Sequence, residues 1–412
     1  MTYFKPLTVL ILITLIMVVT ATSPINTHTP IASRWNYNEH LFPIFRDNCG
    51  SCHKTDGIAP MSLVTYQEAY PWAQSIREEI LGLRMPPGQA EDGFGSFTVN
   101  HALSAEEMDM ILEWSSGGYP QGPRNLRPQT TADSNSWSLG TPALEYSIET
   151  PFAIEDGTNE IVRFFVIPAA NSQPVNISGI DVLPDAGPVV RNVTVYLDST
   201  GTATELDAND PQPGFAEDQW INESKPIAVW SPDVVPTLQN SATYFMPPGA
   251  DVVVRIHYKK TWITEGQSFD DQTRIGFYLS EASRPVIESL IVSSPPVTTN
   301  LSHTFSEQID IPVNLLSVLA EIDIGTKDVQ VVATTPNGNE IPLLFLREPN
   351  TTWPTRYSFN EPIHLPAGTS ITVDTILHPG AQHEPRTSLF ASATDAPIRL
   401  MFDYANGSEQ AN

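Results

Sequence analysis

The chemistry-bearing residues of the chain are concentrated in one short segment, Cys49-Gly50-Ser51-Cys52-His53, which holds both cysteines of the 412-residue sequence. Two thiols at this spacing followed at once by an imidazole form the pattern of covalent haem attachment. The thiols reach the two porphyrin vinyl groups as thioethers, and the histidine lies under the iron as proximal ligand. With two Cys and nine His in the chain, shuffling would produce the arrangement about once in ten thousand sequences. A redox dithiol of the thioredoxin kind would follow a strand in a βαβ unit, and a structural zinc site would need a second ligand pair. Neither context is present, so the expected cofactor is one covalent haem c per chain, bound by Cys49, Cys52 and His53.

The elements that must position these residues read as helices. Tyr37, His40, Leu41, Ile44 and Phe45 fall at helical spacing over Asn36 to Asn48, disturbed by Pro43. Thr65-Tyr66-Gln67-Glu68 is a capping box opening a helix that carries Trp72, Ile76, Ile80 and Leu83 and ends near Gly82. A second box, Ser104-Ala105-Glu106-Glu107, opens a helix with Met108, Ile111, Leu112 and Trp114, stopped by Gly117-Gly118. Between these helices Arg84-Met85-Pro86-Pro87-Gly88 places a thioether on a proline-stiffened loop, which makes Met85 the expected sixth iron ligand. His101 and His40 compete for that role, whereas Met61, Met108 and Met110 read more simply as core or surface residues. A His/Met pair stabilises ferrous iron and suits electron transfer rather than oxygen chemistry. Tyr66 through Met85, with Pro71-Trp72-Ala73, Ser75-Ile76-Arg77 and the Met-Pro-Pro turn, resembles the cytochrome c domain that many bacterial proteins fuse to a monooxygenase-like module. The likeness covers about residues 36 to 122.

Composition bounds the rest. A net charge of −26 makes nucleic acid a poor partner, and 37 prolines beside 23 glycines exclude an all-helical chain. Lys5, the apolar run from Leu7 to Thr20 and the small residues Val19, Ala21 and Ser23 predict a secretory signal peptide over 1–21. The run is about 14 residues, short of a membrane span, and no later segment could serve as one. An uncleaved N-terminal anchor is the alternative. The protein is therefore expected in the periplasm or outside the cell, without a membrane span after cleavage.

Residues 34–122 are expected as a small all-α cytochrome c domain and the Pro/Gln/Thr/Ser/Asn-rich stretch 123–143 as a linker or strap. Strand-like runs follow at Ile161 to Ile167, Val189 to Leu197, Asp251 to Tyr258 and Thr273 to Leu279. A second set lies at Leu315 to Ile324, Val329 to Thr334, Ile341 to Leu346, Thr369 to Leu377 and Ile398 to Tyr404. They predict two all-β, jelly-roll-like sandwich domains over 144–282 and 283–406, with no sequence repeat between them.

Met246-Pro247-Pro248-Gly249-Ala250-Asp251 leading into Val254-Arg255-Ile256-His257-Tyr258 resembles copper type II, ascorbate-dependent monooxygenases. That is the family of peptidylglycine α-hydroxylating monooxygenase. Tyr357, Glu361-Pro362 and Leu365-Pro366-Ala367-Gly368-Thr369 extend the likeness into the second half. The resemblance implies one copper on three histidines and another on two histidines and a methionine. Here Arg191-Asn192 stand at the family's histidine pair, Glu321-Ile322-Asp323 at its His-x-His, and its methionine falls near Pro397, with Met401 close in sequence. Only His257 remains, as a copper remnant, and a lone imidazole cannot hold copper. Glu321 and Asp323 read as a solvated pair. His378 and His383, with His257, are the residues from which a rearranged metal site would have to be built.

Three functions compete, in this order. The first is monohaem electron transfer to an unknown redox protein, on a non-catalytic, copper-free β scaffold. The second is a copper monooxygenase fed electrons by the fused haem. The third is a redox-sensing binding module that uses aromatics such as Trp220, Trp230, Trp262 and Trp353, although each is more often core.

Overall fold

The computed structural model describes residues 32–100, 102–124, 136–216, 225–296, 301–323, 325–379, 389–390 and 396–407. The expected signal peptide, His101, Trp220, His383 and positions 125–135 of the expected linker lie outside the described residues.

The helical region starts with a π-turn, Tyr37–Leu41, capped by the Asn36 side chain, which accepts from the Glu39 N–H. It continues as α1, Phe42–Asn48, with Pro43 in the first turn, where a missing N–H costs nothing. The single helix expected from the Thr65 box is broken at Pro71 into α2, Tyr66–Ala69, a 3₁₀ turn, Tyr70–Trp72, and α3, Ala73–Leu81. Leu83 falls past the end with a positive φ of 55°, so it does not share the buried face of Ile76 and Ile80. The box at Ser104 forms both of its reciprocal bonds and opens α4, Ala105–Ser116. Tyr37, Leu41, Phe45, Ile80, Ile111 and Trp114 close the helical core, with Phe45 edge-on to Trp114 at 6.1 Å.

The first β unit contains β1 (Leu144–Ser147), β2 (Phe152–Ile154), β3 (Glu160–Pro168), β4 (Val175–Leu183), β5 (Val190–Asp198), a short helix α5 (Thr202–Asn209), β6 (Phe215–Ala216), β7 (Ala228–Trp230), β8 (Tyr244–Met246), β9 (Asp251–Lys259), β10 (Phe269–Asp271) and β11 (Arg274–Leu279). The second contains β12 (Glu288–Ser293), β13 (Ser302–Ile309), β14 (Val313–Ile322), β15 (Thr326–Thr334), β16 (Glu340–Arg347), β17 (Thr355–Leu365), β18 (Thr369–Leu377) and β19 (Ile398–Asn406). Its sheets run β12-β19-β14-β17 and β13-β18-β15-β16, the jelly-roll order. The first unit repeats that order in β1-β11-β4-β8 and β3-β9-β5-β7, with β6 added at the edge of β3 and a separate β2-β10 ladder. A shared topology thus links two domains that share no sequence repeat. In each, facing sheets enclose one apolar core. Along β18 burial alternates residue by residue, Ile371 and Val373 inward and Asp374 outward, as a half-buried strand requires.

Among the contacts that tie the units together, two are extensive. Between the sandwiches, Tyr244 on β8, Arg356 on β17 and Asp403 on β19 form one buried network. The Arg356 Nη1 donates to Tyr244 Oη at 2.6 Å and pairs with Asp403, and its Nη2 donates to the Pro226 carbonyl at 2.7 Å. Between the helical region and the second sandwich, the segment from Gly88 to Thr98 crosses over. Ala90 is buried in the second sandwich's core, and Phe97 bridges to Phe359 with the rings stacked at 5.4 Å. Glu91 N–H donates to Phe345 O at 2.9 Å, and Asn360 N–H donates to Ser96 O at 2.8 Å. Gly95, at φ +79°, lets this strap approach closely, since a Cβ there would lie 2.5 Å from the Leu343 carbonyl. By sequence the strap belongs to the helical domain, yet it packs as part of the second sandwich.

Candidate functional site

The Cys49-to-His53 segment coils directly off the C-terminus of α1. Cys49 N–H donates to Phe45 O at 3.0 Å, and His53 N–H donates back to Cys49 O at 2.8 Å. Gly50 is confined by this turn: a Cβ there would lie 2.7 Å from the Arg46 carbonyl, which fixes the first residue between the cysteines as glycine. His53, 9% exposed, places Nδ1 at 3.0 Å from the Met61 carbonyl. A carbonyl only accepts, so Nδ1 carries the proton and Nε2 keeps its lone pair for a metal. Burial lowers the imidazole's pKa and outweighs the bond to Met61, which raises it, so the ring is held neutral, the form that ligates.

Cys49, Cys52, His53 and Met85 all line one cavity of about 190 Å³ that opens to solvent, together with apolar side chains such as Phe45 and Ile80. Enclosure by these walls pushes both thiols up to about 12, with the neighbouring thiol adding to the shift of Cys49 and Asp233 to that of Cys52. Met85, 37% exposed, enters from the loop that continues into the strap. The donor set fits a covalently held haem: two thiols at the right spacing, an imidazole with a free and oriented Nε2, and a thioether sharing the same apolar cavity.

Of the competing sixth ligands, His40 is turned away: its Nδ1 accepts from the Asn36 N–H at 3.3 Å and its ring meets Trp35 edge-on. Met61 lines the same cavity as Met85, and its carbonyl accepts from His53 Nδ1. Met108 and Met110 pack against the helical core.

The cavity is not made by the helices alone. Arg191, Asp233 and Thr261 from the first sandwich, and Asn350 and Trp353 from the second, complete its wall. None of these has a local sequence signal for the role. Trp353, named from sequence as a candidate binding aromatic though more often core, is 7% exposed, and its Nε1 donates to Asp233 at 3.1 Å. Trp262 is 61% exposed and approaches Trp72 of the helical region at 6.3 Å.

Four of the residues that the sequence likeness set against copper ligands, Arg191, Asn192, His257 and Glu321, line a cleft of about 500 Å³ between the sandwiches. Their chemistry is different. His257 has both ring nitrogens engaged, Nδ1 by the Asn192 amide at 3.3 Å and Nε2 by Glu160 Oε1 at 2.8 Å, so it offers no lone pair to copper. Burial lowers its pKa, opposed by Glu160. Glu321 is not solvated as expected: it is buried, accepts from the Leu389 N–H, and pairs with Arg399 at 3.1 Å, because the face of β14 that it shares with Leu319 is covered by Val229, Leu389 and Phe390. Asp323 lies beyond the end of β14 and is likewise buried. Met401 sits in an apolar cluster with Val229, Leu319, Leu389 and Phe390. His378 pairs with Glu348 at 2.8 Å. Among the described residues no group of three His, Cys, Asp or Glu side chains converges as a cation site.

No family model matches the chain, and no curated protein matches it. Solved structures with which it aligns include the major capsid protein P2 of bacteriophage PM2 (TM-score 0.25, 9% identity, 61% of this chain and 99% of that one). The naturally occurring empty particles of cowpea mosaic virus align at a TM-score of 0.25 and 8% identity, over 69% of this chain and 96% of that one. The CBM22 tandem of Paenibacillus barcinonensis Xyn10C aligns at a TM-score of 0.14 and 12% identity, over 68% of this chain and all of that one. At these values the likeness carries no argument about function, and the jelly-roll description rests on the strand order itself.

Proposed function

We propose that the protein is an exported monohaem c-type electron-transfer protein whose cytochrome-like helical domain is seated on a non-catalytic pair of jelly rolls. The observation that carries this reading is the convergence of Cys49, Cys52, His53 and Met85 on one cavity, with His53 Nδ1 tied to Met61 so that Nε2 keeps its lone pair for a metal. The haem would supply reversible one-electron chemistry at iron. The chain's own residues do the rest: the cysteines would fix the macrocycle, Met61 sets the imidazole tautomer, and residues from both sandwiches would wall the group in. Its partner is a redox protein or carrier in an extracytoplasmic compartment, and the −26 charge disfavours nucleic acid.

Protein produced with covalent haem maturation should keep haem through denaturation and gain the mass of one haem per chain. Haem that extracts into acidified acetone would overturn the reading. The cleft's pairings argue against monooxygenase chemistry in the jelly rolls, because guanidinium groups cannot ligate and repel a cation nearby. After incubation with copper(II) and dialysis, the protein should retain less than one equivalent and show no ascorbate-dependent oxygen uptake. Two tightly held coppers with substrate-dependent turnover would establish the monooxygenase reading instead.

A further inference from the structure

Arg191 stands where the two cavities meet: it lines both the haem-binding cavity and the cleft between the sandwiches, as do Asn350 and Trp353. Its guanidinium lies over the Trp353 ring at 4.9 Å, and Nη2 donates to Thr352 Oγ1 at 3.3 Å. Its Nε is enclosed and makes no hydrogen bond. Among the described residues Arg191 enters no ion pair, whereas the carboxylates around it are committed. Glu160 pairs with Lys259 and His257, Glu321 with Arg399, and Glu348 with His378. A guanidinium keeps its charge, and one held in a partly enclosed cleft without a carboxylate partner attracts an anion from solvent. Arg255 adds a second guanidinium on the same wall.

We propose that this cleft is the electron port of the molecule, where a small anionic one-electron carrier binds at Arg191 and exchanges an electron with the haem across the Arg191–Trp353 wall. This deepens the electron-transfer reading and rests on it. The step balances simply: ferrous haem becomes ferric, the carrier takes the single electron, and no proton moves or bond breaks. Trp353 suits the wall because Asp233 anchors its indole and its ring is packed under the guanidinium. The chain's overall charge of −26 repels anions, so a cation at the port is what admits them.

The test uses the haem-loaded protein, reduced and mixed rapidly with ferricyanide, or with the tris-phenanthroline cobalt(III) cation as a comparison oxidant. Wild-type protein should show oxidation by ferricyanide that saturates with its concentration. Arg191→Gln should abolish saturation and lower the ratio of the ferricyanide rate to the cobalt rate by about tenfold, and Arg191→Lys should restore most of that ratio. An unchanged ratio in Arg191→Gln, or an equal fall in Arg191→Lys, would overturn the port while leaving haem binding untouched. Failure of the wild-type protein to bind haem covalently would instead remove the reading beneath it.

Discussion

Replacing Met85 with alanine in the haem-loaded protein is expected to abolish the sulfur-to-iron charge-transfer band of the oxidised form. The midpoint potential should fall by on the order of a hundred millivolts or more. The thioether prefers ferrous iron, so its loss favours the ferric state, and water reaching the vacated position stabilises the added charge further. Met85 can act this way because the loop that carries it is held at its far end: Ala90 is buried in the second sandwich and Phe97 stacks on Phe359. Phe97→Ala should therefore keep the band at low temperature but lose it on mild heating, with the potential of the cold protein close to wild type. Survival of the band in Met85→Ala would assign the ligand elsewhere, and visible spectra with a redox titration decide the matter.

Sequence reasoning reached the parts of this molecule whose physics is local. The Cys49-to-His53 motif is a spacing, and both helical boxes are four-residue patterns; the Ser104 box forms both of its bonds. Strands β9 and β14 are covered on both faces, the outer ones by Phe164, Tyr196 and Phe215 and by Val229 and Leu389, so they read as apolar runs and fall close to their expected limits. The edge strand β16 was legible too, whereas the central β4 was not expected, and neither were the edge strands β13 and β17. β13, with Ser302, His303, Thr304 and Glu307, is largely exposed, and β17 carries Pro362, a residue an edge strand tolerates. Neither shows the pattern that announces a strand. The far wall of the cavity lined by Cys49, Cys52 and His53 was illegible for another reason. Arg191, Asp233 and Trp353 are brought to Cys52 by the docking of three units, and no local pattern encodes that. The sequence likeness pointed to Arg191 and His257 as a depleted metal site. It could not tell that Glu160 and Asn192 had taken both nitrogens of His257, or that Arg191 lines the cysteine-bearing cavity as well.

Asp403→Ala is expected to destabilise the pair of sandwiches by about 3–5 kcal/mol. Asp403 is 2% exposed and serves four partners: Ser289 at 2.9 Å, Ser317 at 2.8 Å, Tyr244 at 3.2 Å and the Arg356 guanidinium. Removing the carboxylate leaves the Arg356 charge enclosed between two sheets with only Tyr244 and the Pro226 carbonyl to accept from it, and an uncompensated buried charge is the costly case. Exposed ion pairs such as Arg46 with Asp47 set the contrast, since Asp47→Ala should change stability by less than about 1 kcal/mol. Because Tyr244 belongs to the first sandwich while Arg356 and Asp403 belong to the second, the loss should fall on their junction. Denaturant unfolding of Asp403→Ala is then expected to separate into two transitions where the parent shows one, since the charged network is the most deeply buried polar link between units otherwise joined by the Val229, Leu319 and Met401 cluster, the Trp353–Asp233 bonds and Arg191 over Trp353. A single transition displaced by less than about 1 kcal/mol would mean that the network contributes little, and that those other contacts fix how the two jelly rolls meet around the cleft.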